Sequence, residues 1–483
     1  KRFVDFQNDV TAEDVGLAVR EGYGDVEHLK RYTTLGMGTD QGRTSNVNGL
    51  ALLGALTGRD ISSVGVTTFR PPFAPVTLGA VAGPEVGRDI APVRRTPLHD
   101  WHLDAGAPMM NAGLWQRPQA YPLAGESLTD AIERESRLVR QAVGIVDVST
   151  LGKIEVHGAD AGTFLDRIYS NRFATLAVGR CRYGLMLRED GFVMDDGTAT
   201  RIGEHNYYVT TTTGHAAHVL AHMEYYAQTV WPDLRVRIVS VTDQWAGIAL
   251  AGPRSREVLA RVVEDTSVDN SALPYLGFMQ TSIESLPVRL LRVTFSGELG
   301  YEIHVPANGG VAVWEKLLEA GKPYGIAPYG VEAMGVLRIE KGHIVHAEID
   351  GRATAEDVGL GPFCKPDAPD FIGQRALERP DLQGGERKRL VGLTSVNGQP
   401  IPRGAHLVRD PHEPPPVEML GHVSSVCYSP NLGQHIALAL LAGGREAFDG
   451  QTLCAASPMT GEYVRVRIGP AASIDPKGER ARG

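Results

Sequence analysis

The stretch Gly191-Phe-Val-Met-Asp-Asp196, read together with Phe295-Ser-Gly-Glu-Leu-Gly-Tyr-Glu302, decides the fold, because one carboxylate from each can serve a single ligand. A strand ending in Asp195-Asp196 suffers charge repulsion and poor β propensity, so such a pair calls for solvent, a cation or a cationic ligand nearby. By its own spacing the pair reads as an exposed hairpin edge. The wider pattern reverses that reading.

Outward from this pair, residues 182–187 and 193–201 flank an Asp190-Gly191 turn, which predicts a hairpin. Lys153-Ile-Glu-Val-His157 alternates as a strand, residues 160–169 read as a helix, 207–212 as a third strand, and 214–226 as a helix turning Ala217, Leu220 and Met223 inward. Ser127-Leu-Thr-Asp130 starts a capped helix with Leu128, Ala131, Ile132, Leu138, Val139 and Ala142 at helical spacing. Near the end, residues 390–394, 421–428, 436–441 and 463–468 are strand-like between Gly/Pro turns, which fits a small antiparallel barrel. At the front, Thr11-Ala-Glu-Asp14 forms a capping box, Asp25 caps a second short helix and Gly36-Met-Gly38 stops it. Prolines from Arg70 onward predict an extended linker. The expected organisation is α+β: a helical module at 1–68, a linker at 69–95, a main domain of antiparallel sheets at 96–385 and a β-barrel at 386–477.

The chain has 483 residues, 42% of them hydrophobic and 22% charged, which suits a globular protein of roughly three domains. Its formal net charge of −9 argues against nucleic-acid binding, which needs a surplus of Lys and Arg on one face. No apolar run reaches membrane-spanning length, so no membrane partner is expected. Cys181, Cys364, Cys427 and Cys454 form no CxxC and predict neither zinc nor iron–sulfur, and a reducing cytoplasm fits them. The start at Lys1, without methionine or signal peptide, suggests a part of a longer polypeptide.

Several stretches, kept in order and spacing, resemble the folate-binding aminomethyltransferase family, to which the T-protein of glycine cleavage belongs. They include Thr96-Pro-Leu-His-Asp-Trp101, Gly144-Ile-Val-Asp-Val-Ser149, Gly179-Arg-Cys-Arg-Tyr183, Gly297-Glu-Leu-Gly-Tyr-Glu302 and Leu337-Arg-Ile-Glu340. Phe3-Val-Asp-Phe-Gln-Asn-Asp-Val-Thr11 and Leu29-Lys-Arg-Tyr-Thr-Thr-Leu-Gly-Met-Gly38 are similar to the middle of α subunits of heterotetrameric sarcosine oxidases. That resemblance implies a tetrahydrofolate site here, an upstream dinucleotide-binding half, a flavin-containing β subunit, small γ and δ subunits, and FAD, FMN and NAD in the whole complex. No dinucleotide site is read in this chain. Related helical modules hold a [2Fe–2S] cluster on four cysteines; Asp5, Gln7, Asp40 and Ser45 stand in those places, which implies a cluster-free connector.

By the same resemblance Asp196 is the catalytic carboxylate beside the folate amines. Glu302 binds the amidine-like pterin edge, and Tyr183, Phe295, Asp195 and Thr211 line the folate site. Asp195 is the weaker candidate, because neighbouring side chains on a strand point to opposite faces. Two positions depart from the family pattern: Phe295 replaces a tyrosine, and Met334 replaces an arginine, which favours an oxidase-linked role over docking of a lipoyl-arm carrier. The alternatives are a subunit acting on dimethylglycine or N-methylglutamate, and a non-catalytic folate-binding scaffold. His99/His102 and His343/His346 have HxxH spacing without an acidic partner set, so no metal is expected. Arg338 and Glu340 read as a buried pair.

Overall fold

The computed structural model describes residues 1–71, 74, 76–85, 92–365, 370–414 and 416–483. The chain divides into two compact units, Lys1–Pro92 and Val93–Gly483.

In the first unit, the helix Ala12–Arg20 opens on the expected capping box, with Thr11 and Asp14 bonded reciprocally. Asp25 caps the helix Val26–Thr33 through the N–H groups of Glu27 and His28. This helix ends at a left-handed Thr34, two residues before Gly36. Val15, Ala18, Leu29, Leu35 and Leu53 form the core of the unit. The four residues at the cluster positions form an oxygen-centred network. Asp5 is 2% exposed and accepts hydrogen bonds from the N–H groups of Gly36 (2.7 Å) and Gln7 (2.9 Å) and from the Ser45 hydroxyl (3.4 Å). Gln7 accepts from the Asp40 N–H at 3.4 Å. Their oxygens thus close the loop by satisfying local donors. The expected extended linker is interrupted by a short helix, Leu78–Ala82, that buries no side chain; residues 72, 73, 75 and 86–91 of that linker lie outside the described residues.

The second unit contains two stacked antiparallel sheets and a barrel. The first sheet has the strand order Arg237–Ser240, Gly152–His157, Asn206–Thr211, Val193–Gly203, Arg180–Leu187. The predicted hairpin is its edge, with Leu185 opposite Asp196 and Tyr183 opposite Thr198. One face packs Ile154, Val156, Val209 and Ala199 against the helices Ala161–Ile168 and Ala216–Tyr225. Ala217, expected inward on the latter helix, is exposed; Val219 and Met223 are buried instead. They lie four residues apart, the spacing of one helix face.

The second sheet runs Phe278–Ile283, Leu286–Leu291, Gly300–Pro306, Trp245–Ala251, Gly144–Asp147, Ala327–Pro328, and only the last pairing is parallel. Its outer face buries Ile145, Ile248, Leu250, Leu290 and Ile303 with Trp314 of the helix Gly310–Gly321. The helix Leu128–Gln141 departs from its expected stripe: Leu128 is exposed and Ala142 only half-buried, while Glu135 is fully buried. The reason is capping at a distance, since Glu135 accepts from the backbone N–H groups of Tyr121 (2.6 Å) and Gly330 (2.8 Å).

The barrel closes with six strands. The four expected strands are present, joined by the short strands His406–Val408 and Thr452–Ala456 that complete the ring. Arg338 and Glu340 are buried but do not pair with each other, a correction that follows from helix geometry, where residues two apart diverge. Arg338 reaches Glu348 (3.1 Å) and Ser425 of the barrel (2.6 Å). Glu340 reaches Arg140 (2.8 Å) and the barrel residues Ser429 (2.6 Å) and Asn431 (2.9 Å). All four cysteines are free thiols. Among the described residues no helix is long and apolar enough to cross a membrane.

Candidate functional site

In antiparallel sheets directly opposed residues share a face, so the register sorts the polar side chains into two groups. Cys181, Tyr183, Asp196, Thr198, Thr200, Tyr208, Thr210, Lys153 and Glu155 all lie on one face of the first sheet. On the second sheet, Arg289, Leu291, Glu302 and His304 likewise share a face. These two faces meet. The Tyr208 hydroxyl is 2.6 Å from His304 Nδ1, Arg289 and Glu155 form an ion pair at 2.6 Å, and Cys181 packs with Leu291. The layer between the sheets is therefore polar, with Asp196 contributed by one wall and Glu302 by the other.

Asp196 accepts a hydrogen bond from the Tyr183 hydroxyl at 2.9 Å. Burial pushes its pKa up to about 6, against the lowering effect of that hydrogen bond. Burial, with the Asp196 charge behind it, raises the Tyr183 phenol well above its usual value, so Tyr183 stays a donor. A carboxylate poised near neutrality beside a fixed donor can exchange a proton with an amine and stabilise a passing cation.

Glu302 Oε2 lies 3.3 Å from His304 Nε2. Burial depresses the pKa of the fully enclosed His304, so the ring is neutral and carries one proton. With that proton on Nε2 and donated to Glu302, Nδ1 accepts from the Tyr208 hydroxyl. Tyr208, His304 and Glu302 then form one directed chain. Among the described residues no hydrogen bond reaches Glu302 Oε1. Lys153 adds positive potential from the neighbouring strand; its buried ammonium donates to the carbonyls of Ser149 (2.8 Å) and Leu151 (3.1 Å), and burial lowers its pKa to about 8. The Glu302 carboxylate suits a flat heterocycle with adjacent N–H groups, from which a carboxylate accepts two parallel hydrogen bonds.

The other expected site residues land elsewhere. Asp195 and Thr211 lie on the helix-packed face, opposite to Asp196. The Asp195 carboxylate accepts from Thr212 at 2.7 Å, and burial and the adjacent Asp196 push its pKa up to about 7. The hydroxyl sharing Asp196's face is that of Thr210, bonded to Thr198 at 2.7 Å. Phe295 lies in the loop before Gly300–Pro306, 38% exposed, its ring 5.7 Å from that of His343. Glu298 is held by Arg140 at 2.9 Å and Arg480 at 2.7 Å, within a cavity of about 690 Å³ apart from Asp196 and Glu302. Met334 packs beside Tyr329 and Leu337.

His304, Tyr208 and Lys153 were not foreseen. The i, i+2 spacing of Glu302 and His304 on a strand was the available signal for the first; the partnership with Tyr208 spans two sheets and leaves no local trace.

Three domain families match: the GCVT N-terminal domain over residues 98–368, the glycine cleavage T-protein C-terminal barrel domain over 388–470, and the sarcosine oxidase A3 domain over 1–84. The chain is 46% identical to the sarcosine oxidase subunit alpha of Rhizobium meliloti (strain 1021), an alignment covering 99% of this chain and 49% of that protein. It therefore spans about half the length of the sarcosine oxidase relatives it matches. An aminomethyltransferase of Halothermothrix orenii is 30% identical, over 77% of this chain and 99% of its own. The glycine cleavage system aminomethyltransferase T from Bartonella henselae shares the fold, with a TM-score of 0.68 at 24% identity over 80% of this chain and 99% of that structure.

Proposed function

The chain belongs to the aminomethyltransferase family, and on that footing we propose that it is the tetrahydrofolate-binding part of a sarcosine oxidase complex. The reading carries over the substrate of the sarcosine oxidase relatives, whose alignment runs along the whole chain. The observation that carries the chemistry is the placing of Asp196 and Glu302 on two facing sheet surfaces, with Tyr183 fixed on Asp196.

Oxidation of sarcosine, assigned to a flavin-bearing partner subunit, gives an iminium in which a methylene carbon is bonded to the glycine nitrogen. Two new carbon–nitrogen bonds form to the folate amines as the bond to glycine breaks. The two hydrogens displaced from those amines end on the departing glycine nitrogen, so the product is 5,10-methylenetetrahydrofolate with no net oxidation. Asp196 stabilises the iminium charge and carries the proton between nitrogens. Glu302, oriented by His304, receives the pterin edge. Enclosure between two sheets disfavours the competing attack of water, which would release formaldehyde.

In the assembled complex, Asp196→Ala is expected to leave amine oxidation near normal and to lower methylenetetrahydrofolate formation about 10²–10³-fold, with formaldehyde rising to match. Simultaneous assay of both products decides this. An unchanged folate product in the variant would remove Asp196 from the reaction and leave the domain as a folate-binding scaffold; normal folate capture with a different amine would keep the domain's role and change the substrate.

A further inference from the structure

The face of the first sheet turned away from Glu302 carries a cluster that the folate reading does not use. Asp195 is 1% exposed, and among the described residues no Lys or Arg pairs with it. His215 Nδ1 lies 3.7 Å from Asp195 Oδ1. The ring of His346 sits against that of His215, with centroids 3.8 Å apart. Its Nε2 is buried and has no hydrogen-bond partner among the described residues, an arrangement that costs free energy unless something fills the need. One ligand atom from each of the three residues lies within 4.8 Å of the other two.

We propose that Asp195, His215 and His346 form a binding site for a divalent transition metal, with zinc as the best-fitting ion. Two imidazoles and one carboxylate are a borderline donor set, which suits zinc, cobalt or nickel better than magnesium or calcium, whose ligands are oxygens. Burial lowers the pKa of both rings, so at neutral pH each is in the uncharged form that binds metal. The orphaned His346 nitrogen gains a partner, and the buried Asp195 charge gains a cation. His215 Nδ1 also faces the Met194 carbonyl at 3.2 Å; on metal binding its proton moves to Nε2, on the ring's other side. Thr212 fixes the Asp195 carboxylate as an outer-shell partner. The His215 side chain is 36% exposed, which leaves the remaining coordination positions to water.

The three ligands come from the strand Val193–Gly203, the start of the helix Ala216–Tyr225 and the segment after the helix Val331–Lys341. A metal there ties together three segments that are distant in sequence, behind the strand that presents Asp196, and leaves the inter-sheet layer free. The proposal is independent of the folate reading.

The test uses the full polypeptide in its native assembly, stripped with chelator and returned to micromolar zinc. Wild type is expected to hold one zinc equivalent more per chain than His215→Ala or His346→Ala, and zinc should raise the melting temperature of wild type alone. Equal zinc content in wild type and both variants would overturn the site, as would no thermal response of wild type. Should the histidine variants fail to fold, the near-isosteric Asp195→Asn must still weaken zinc binding at least tenfold in a competition titration; an unchanged affinity would also overturn it.

Discussion

Asp195 and Asp196 are adjacent in the chain yet occupy different surroundings, because a strand sends neighbours to opposite faces. Burial raises both pKa values, to about 7 and about 6. A carboxyl whose pKa is higher folded than unfolded contributes stability that is present below about pH 4 and lost as pH rises through the folded value. The ionised Asp195 is thus a cost of folding above neutrality in metal-free protein. Asp195→Asn, assayed with chelator present, is expected to stabilise at pH 8 by roughly 4 kcal/mol relative to its effect at pH 4, given a rise of about three pKa units and the 1.36 kcal/mol that one unit represents. Chemical denaturation at both pH values measures this, and a pH-independent difference would contradict the buried-carboxyl account. The opposition of the two side chains could be read from strand alternation alone. That Thr211 follows Asp195 rather than Asp196 could not, because it depends on which residues of Asn206–Thr211 stand opposite which of Val193–Gly203.

At the scale of elements, the site depends on two sheets meeting through their polar faces. Tyr208 belongs to one and His304 with Glu302 to the other, so the chain that orients Glu302 exists only once the sheets are stacked. Glu302→Gln is expected to weaken 5-formyltetrahydrofolate binding about 10–100-fold, the worth of one charge-assisted hydrogen bond. Tyr208→Phe, which touches the far end, is expected to cost about threefold alone and nothing further in the Glu302→Gln background. Calorimetry on the four proteins of this cycle tests the coupling. Additive losses would show that Tyr208 does not act through Glu302. The hairpin itself was legible, since an Asp-Gly turn between alternating runs is a local instruction; the polar inter-sheet face was not, since its residues come from six strands.

At the scale of the whole second unit, buried ion pairs link the helix Val331–Lys341 to the barrel. Glu348 is fully enclosed and accepts from Arg338 (3.1 Å), Ser424 (2.6 Å) and Ser425 (2.6 Å). Arg338→Met leaves that carboxylate without its cation and is expected to destabilise the protein by about 3–5 kcal/mol. Arg375→Met, which removes an exposed partner of Asp370, is expected to leave denaturation unchanged. Equal effects of the two substitutions would mean that solvent screens the buried network as well. Local sequence signals single out Arg338 and Glu340 but not their partners, because Glu348, Arg140 and the barrel serines approach only through tertiary folding.

Resemblance to the aminomethyltransferase family put forward Asp196, Glu302 and Tyr183, while local signals alone determined the α+β class, the capped helices, the strands flanking Asp190-Gly191 and four barrel strands. These follow from turn chemistry, capping and alternation, which act over a few residues. Only the tertiary structure decided that Asp196 and Glu302 lie on facing walls, that His304 and Tyr208 stand behind Glu302, and that Asp195 meets His215 and His346. Those outcomes depend on strand register and sheet stacking, which join residues far apart in the chain and are set by burial of whole faces rather than by any short stretch.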